Sequence, residues 1–294
     1  MNMDDKIKSV LDDMNFNNFM KKTLGCIRKA DTDFHLIENG DRVAIGVSGG
    51  KDSLLLLHAL SLYRKFTHKD FTLQAITVDN GLGFMDFSPI VSLCISLEIP
   101  YLIKETQIGD IIFNYRKEKN PCALCAKMRR AVLANTCVEL GCNKLALGHH
   151  RDDAVETLLL SLFHEGRFHT FHPCTRMSRT GITVIRPLVY LPESHVKHMQ
   201  KTLELPVVKS SCPVDGKTER ATMAGVLSEL KKMYPDVTER ILHALRSEPY
   251  DLWQKDVSPV SVDSGIPGES EHSEVAANAG DSGDSEDPAE FRDS

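Results

Sequence analysis

No stretch of this 294-residue chain approaches the roughly 20 uninterrupted apolar residues that span a bilayer. The amino terminus, Met1-Asn2-Met3-Asp4-Asp5-Lys6, lacks the apolar core of a secretion signal, so a cytoplasmic location without membrane attachment is expected. No internal repeat recurs at a fixed period, which excludes solenoids and propellers. Eight cysteines in a chain with no secretion signal argue against a disulfide framework and for reduced thiols, some available to a metal.

Charge is unevenly placed. The net charge is -6, yet Asp256 to Ser294 holds 11 acidic residues and one basic residue, which leaves 34 basic and 30 acidic residues in Met1 to Lys255. The body is therefore mildly basic, compatible with a nucleic-acid partner and equally with a solvated surface. The tail has almost no large apolar residues to repay the entropy of folding, so 256–294 is expected to be a disordered acidic tail.

What is present centres on Ser48-Gly49-Gly50-Lys51-Asp52-Ser53, between the apolar run Arg42 to Val47 and the apolar helical run Leu54 to Leu60. Adjacent glycines allow a sharp turn that aims backbone N–H groups into one concavity at a helix amino terminus, a place for phosphate. Ser48 and Ser53 add hydroxyls and Lys51 a mobile cation. The loop is not a Walker A loop, since Gly46 to Gly50 is one residue short of that spacing and Asp52 follows the lysine. An ordinary glycine turn is the alternative.

Apolar runs at 42–47, 72–78, 100–104, 144–147 and 182–186 read as strands, alternating with helices at 52–63, 88–97, 154–163 and 193–203. That alternation predicts an α/β fold: a parallel sheet with flanking helices and right-handed crossovers. Residues 6–29 carry an amphipathic helical pattern, giving an amino-terminal helical segment over 1–33. A nucleotide-binding domain follows over 34–255, with carboxyl-terminal helices broken at Tyr234-Pro235. The second strand ends at Val78 and Asp79, which face a nucleotide at the sheet edge or simply make the turn.

Two further clusters carry chemistry. Pro121-Cys122-Ala123-Leu124-Cys125 opens a basic helical stretch, where a helix amino terminus and nearby cations favour thiolate. Ser211-Cys212-Pro213 supplies a third thiol in a polar loop. Three thiols without an obvious fourth fit an open-sited iron–sulfur cluster, while Cys174 or His172 would complete a zinc site. Gly148-His149-His150-Arg151-Asp152-Asp153 follows the fourth strand and starts a helix. Its aspartates suit helix capping or a magnesium ion, and its histidines a nucleotide or the mouth of the site.

In order and spacing, GDRVAIGVSGGKDS, PCALCAKMRR, LALGHHRDDAVETL and VIRPL resemble the tRNA 2-thiocytidine synthetase family of the pyrophosphate-loop (N-type) ATP pyrophosphatase superfamily, over about Lys21 to Arg246. The resemblance implies an adenine-nucleotide α-hydrolase-like fold and an ATP-dependent tRNA sulfurtransferase. Such an enzyme adenylates an anticodon-loop cytidine, at tRNA position 32, and replaces its 2-oxo group with sulfur. It implies Lys51, Asp52, Cys122, Cys125 and Cys212 as catalytic residues, with the three cysteines holding a [4Fe-4S] cluster. ATP, with Mg2+, is expected at Ser48, Gly49, Gly50, Lys51, Asp52, Ser53, Val78, Asp79, Gly148, His149, Asp152 and Asp153. Arg116, Lys117, Lys119, Lys127, Arg129 and Arg130 are candidate tRNA phosphate contacts. The expected partners are tRNA, a sulfur donor such as a cysteine desulfurase, and a second copy of the chain in a homodimer.

One departure is that Cys212 is followed by Pro213-Val214-Asp215-Gly216, where well-known family members place C-x-x-C-G. The loop difference leaves the target base open, including a uridine. Only Cys26 precedes the phosphate loop, against the branch that carries additional zinc-binding C-x-x-C pairs. A tRNA lysidine synthetase shares the SGGxDS loop but has no need of the three cysteines. A non-catalytic nucleotide or iron–sulfur binding protein has no need of Lys51 and Asp52.

Overall fold

The computed structural model describes residues 14–117, 121–214, 216, 218–247, 253 and 260–262. At the centre of its sheet is β1 (Asp41–Gly46), with Val43, Ala44 and Ile45 wholly buried. A strand covered on both faces needs apolar side chains in both directions, which Val-Ala-Ile supplies. β2 (Phe71–Asp79) and β4 (Lys144–Ala146) flank it in parallel, and β3 (Tyr101–Glu105) pairs in parallel with β2. β6 (Thr183–Ile185) pairs in parallel with β4. These are the five strands that the apolar runs predict.

Two further strands add to the expected parallel sheet, which is thus mostly parallel. β5 (Cys174–Met177) runs antiparallel to β6, joined by a tight turn in which Gly181 takes φ +72° and donates its N–H to the Met177 carbonyl at 2.8 Å. Its four residues, Cys-Thr-Arg-Met, lack the alternation that marks a strand in sequence. β7 (Val260–Val262) pairs in parallel with β5, so three residues of the segment expected to be disordered extend the sheet. The rest of 256–294 lies outside the described residues. The strand order is β3-β2-β1-β4-β6-β5-β7.

The helices cover this sheet. α1 (Met14–Phe34) is longer at its end than the 6–29 pattern suggests, and residues 6–13 of that pattern lie outside the described residues. It buries Met20, Ile27, Ala30 and Phe34 in the main core, shared with α2 (Lys51–Phe66), whose Leu54, Leu55, Leu56, Leu57 and Leu60 are fully enclosed. α3 (Ser88–Ser96) and α4 (Pro121–Glu139) follow β2 and precede β4, respectively. α5 (Arg151–Leu160) follows β4, and α6 (Glu193–Thr202) follows β6. α7 (Glu219–Met233) and α8 (Val237–Leu245) are separated at Tyr234-Pro235, as the proline requires. Among the described residues no helix is long and apolar enough to cross a membrane.

The sheet order reverses between β1 and β4. The turns leaving those two strands therefore diverge and open a crevice at their carboxyl ends, where ligands of open α/β sheets bind. The two turns also touch. A Cβ on Gly148 would stand 2.9 Å from the Asp52 carbonyl carbon and 3.0 Å from the Ser53 nitrogen, so only glycine fits there. Gly148→Ala is expected to push the turns apart at a cost of about 1–3 kcal/mol, read by denaturant unfolding, and to weaken nucleotide binding. Gly225→Ala, in the exposed part of α7 with nothing near the added carbon, is expected to be neutral or stabilising by up to about 1 kcal/mol.

α5 packs Val155 and Leu159 against Met223 and Leu227 of α7. Glu156 is carried into the interior on the same helix, 7% exposed. Burial, together with the negative charge of Asp153, pushes its carboxyl up to about 7 from an ordinary 4.5. The folded chain thus holds a proton that the unfolded chain releases, and stability falls as pH rises from 4.5 to about 7. Glu156→Gln is expected to exceed the parent in unfolding free energy by roughly 2–3 kcal/mol at pH 8 and to be nearly equal to it at pH 4.5. A pH-independent gap would contradict this assignment.

Candidate active site

The turn after β1 is built from its own hydroxyls. The Ser48 N–H donates to Ser53 Oγ at 3.2 Å, the Ser53 hydroxyl donates to the Gly50 carbonyl at 2.9 Å, and the Gly50 N–H lies 3.4 Å from Ser48 Oγ. Gly49 takes φ +84°, which turns the chain into α2. Gly50 occupies the N-cap position of α2 with no capping side chain, so the first N–H groups of that helix are not taken by a cap and face the crevice mouth. Thr77 holds the base of the turn by donating its hydroxyl to the Val47 carbonyl at 2.6 Å.

Lys51 and Asp52 stand half-buried at this mouth. The lysine ammonium is 3.1 Å from each carboxylate oxygen of Asp52 and 3.4 Å from Glu193 Oε1 at the start of α6. Burial alone would lower the lysine pKa, but Asp52 and Glu193 reverse that and hold it above the ordinary value, so the cation persists across the neutral range. Asp52 Oδ1 is enclosed without a hydrogen bond of good geometry and lies 3.5 Å from His150 Nε2.

The turn after β4 is organised by capping. The His150 N–H donates to Asp153 Oδ2 at 2.8 Å, and the Asp153 N–H approaches His150 Nδ1 at 3.4 Å, a reciprocal box at the start of α5. With Nδ1 accepting, the ring presents Nε2 to Asp52. Asp152 is 1% exposed; its carboxylate accepts the Glu193 N–H at 2.7 Å and pairs with the Lys231 ammonium of α7. Despite the cost of burial, those partners depress its pKa. Asp152 is directed into the protein, and Asp153 caps its helix, the capping alternative, while lying 3.5 Å from Arg220.

The remaining expected nucleotide residues divide. Val78 is half-buried at the end of β2, and Asp79 accepts the Gly81 N–H at 2.9 Å, which is the turn-making alternative. His149 is half-buried with its ring 5.1 Å from that of Phe171. Burial and the surrounding guanidinium groups of Arg186, Arg220 and Arg130 hold it well below the ordinary histidine range, so it is neutral. Arg186 of the VIRPL string is fully buried, donating to the His172 carbonyl at 2.6 Å and stacking 4.8 Å over Phe171.

The three cysteines come together. Cys122 is exposed in the first turn of α4, and Cys125 and Cys212 are half-buried. Burial raises the Cys125 pKa; Arg129, hydrogen-bonded to it, opposes that, and the charges of Cys212 and Cys122 both act on it. The other five thiols lie elsewhere, and those of Cys94, Cys137, Cys142 and Cys174 are buried. Among the described residues no three His, Cys, Asp or Glu side chains already stand in a metal-holding arrangement, so the three thiols are neighbours that must still converge. The donor set fits an open-sited cluster: soft thiolates, three of them, beside a guanidinium.

Cys212 is tied to the phosphate turn through its own segment. The Val208 N–H donates to the Gly49 carbonyl at 3.0 Å, and a Cβ on Gly49 would stand 3.2 Å from Val208 Cβ. Of the candidate RNA contacts, Arg116, Lys117 and Lys127 are exposed, Arg129 and Arg130 are half-buried beside Cys125 and His149, and Lys119 lies outside the described residues. The sequence reading missed Glu193, Val208, Arg220 and Lys231. Only Glu193, an acid in the first turn of a helix that follows Pro192, carries a local signal.

Residues 15–228 match the family model of the PP-loop domain. The chain is 40% identical over 228 residues to the tRNA-cytidine(32) 2-sulfurtransferase of Geobacter sulfurreducens, covering 76% of this chain and 89% of that protein. It is 37% identical over 244 residues to the protein of the same name from Geobacter metallireducens, covering 82% and 95%. Among solved structures it is similar to the U34-tRNA thiolase NcsA from Methanococcus maripaludis with its [4Fe-4S] cluster, at 28% identity and a TM-score of 0.64 over 77% of each chain. A phosphate turn at the sheet's switch point, three thiols beside it and relatives alike over most of their length agree: the chain belongs to the PP-loop family, in its tRNA-cytidine(32) 2-sulfurtransferase branch.

Proposed function

We propose that this chain adenylates a tRNA base, the cytidine at position 32 of the anticodon loop, and replaces its 2-oxo group with sulfur. The observation that carries this reading is the shared segment from Val208 to Cys212, which joins the phosphate turn to the three thiols. Two half-reactions thereby border one crevice. Relatives 40% and 37% identical over most of their length, named for cytidine 32, support the choice of base.

In the first half-reaction the base oxygen attacks the α-phosphate of ATP and pyrophosphate leaves. The uncapped amino terminus of α2 and the Lys51 ammonium oppose the charge that develops on the phosphate oxygens. Glu193 and Asp52 hold Lys51 cationic and in place. Asp52, beside Lys51 at the mouth, and the partly exposed Asp153 are the carboxylates that would meet a magnesium ion carried in with the phosphates, whereas Asp152 is turned into the protein. In the second half-reaction sulfur at the sulfide level attacks C2 and AMP leaves with the former base oxygen. Cys122, Cys125 and Cys212 are the residues that would hold a [4Fe-4S] cluster, whose open iron supplies a site for that sulfur. Burial holds the Cys125 pKa above its ordinary value, and Arg129 is the group that opposes this and would favour the thiolate on binding a metal. A donor such as a cysteine desulfurase hands the sulfur over as a persulfide, which a thiol reductant brings to the sulfide level by two electrons, the thiol itself ending as a disulfide.

Nucleoside mass spectrometry of bulk tRNA tests the reading in a strain lacking the chain and complemented with the parent, Cys122→Ala or Cys212→Ala. Loss of 2-thiocytidine restored only by the parent is expected; an unchanged level, with another thionucleoside reduced, would reassign the base. Lys51→Ala is expected to lower pyrophosphate release about 10²–10³-fold at saturating ATP. Lys127→Glu is expected to weaken tRNA binding and to flatten its logarithmic salt slope by about 1, measured by filter binding across a salt series.

A further inference from the structure

Phe84 is the most exposed of the large apolar side chains among the described residues, at 92%. Single exposed apolar residues are common on protein surfaces. This one differs in where it stands and in how firmly its backbone is held. It belongs to the turn that leaves β2 at the carboxyl edge of the sheet. Gly81 takes φ +67° with no room for a Cβ against the Thr106 carbonyl, the Gly109 N–H donates to the Asn80 carbonyl at 2.7 Å, and Leu82 lies directly over Gly109. On the other side Met85 packs on the main core and Phe87 is buried in it. The chain is thus anchored before and after Phe84, and the ring between the anchors is left bare.

The turn also borders the cysteine segment. A Cβ on Gly83 would stand 4.0 Å from Ser211 Cβ, one residue before Cys212. From Ser211 back to Val208, which is bonded to Gly49, is three residues, at most about 11 Å of chain. A base that reacts first with a phosphate held at Gly49 to Ser53 and then with sulfur at Cys212 must lie within that span. A nucleobase drawn out of its loop loses stacking on its faces, and an aromatic ring replaces it without reading sequence. Phe66, also exposed, offers the same chemistry in the wrong place: it ends α2, a helix of 16 residues that starts at the site, and so lies about 24 Å away.

We propose that Phe84 is the platform on which the tRNA base entering this site stacks, holding it between the phosphate turn and Cys212. The proposal rests on the reading of the chain as a tRNA-thiolating enzyme, and its test separates the two.

The protein in its cluster-loaded form is compared with Phe84→Ala, Phe84→Trp and the control Phe66→Ala, each first checked for an unchanged melting temperature. Binding of a fluorescently labelled anticodon stem-loop is expected to weaken about five- to 150-fold in Phe84→Ala, the worth of one stacked base. Phe84→Trp should retain the affinity and Phe66→Ala should leave it unchanged. With turnover, kcat/KM for tRNA should fall by a similar factor in Phe84→Ala, while KM for ATP stays within twofold. Equal stem-loop affinities of the parent and Phe84→Ala would overturn the proposal whether or not the parent thiolates. A parent that binds the stem-loop through Phe84 yet inserts no sulfur would sustain the platform and overturn the thiolation reading instead.

Discussion

The contact on which the site depends is the approach of two backbone turns, Gly148 against the Asp52 and Ser53 peptide groups. A missing side chain lets the turn after β4 lie on the first turn of α2, and everything charged follows from that proximity. His150 can then face Asp52, and α5 starts close enough to α2 for Glu193, bonded to Asp152, to meet Lys51. The topology brings the two turns to the same edge, but glycine sets their separation. A methyl group there would separate the parts of a site assembled from several elements.

Around that contact the acidic residues fall into two groups. Asp152 and Asp153 hold the scaffold, one through the Lys231 ammonium of α7 and the other as a cap, and Glu156 is buried behind them with a raised pKa. Losing the lysine would strand an enclosed carboxylate, whereas losing Asp152 would leave an ammonium that is one-third exposed and that water can reach. Asp52 and Glu193 remain at the mouth, both facing Lys51. Carboxylates at equivalent places, in the first turns of helices, thus serve different ends, and their neighbours in space decide which.

The five parallel strands, the phosphate turn and the three thiols are legible in the sequence because each rests on local pattern: unbroken apolar runs, paired glycines, a cysteine spacing at a helix start. β5 and β7 are not, because Cys-Thr-Arg-Met is neither an apolar run nor an alternation and Val-Ser-Val sits in a stretch of otherwise polar, acidic composition, so both take their conformation from the neighbour they pair with. Asp152 illustrates the same limit at the site. Its position before a helix is readable, but the lysine that claims it lies far along the chain in α7, and no local pattern announces that meeting. Val208 is likewise an unmarked valine whose role comes from one backbone hydrogen bond.

That bond between Val208 and Gly49 has a thermodynamic corollary. It links the phosphate turn directly to the segment leading to Cys212, the kind of contact through which occupation of one end would bear on the other. Linkage of this kind is reciprocal: whatever nucleotide does for the order of the cysteine loop, an assembled metal centre does in equal measure for nucleotide affinity. Were a metal centre held at the three thiols, as proposed, its loss would by the same linkage be felt at the phosphate turn.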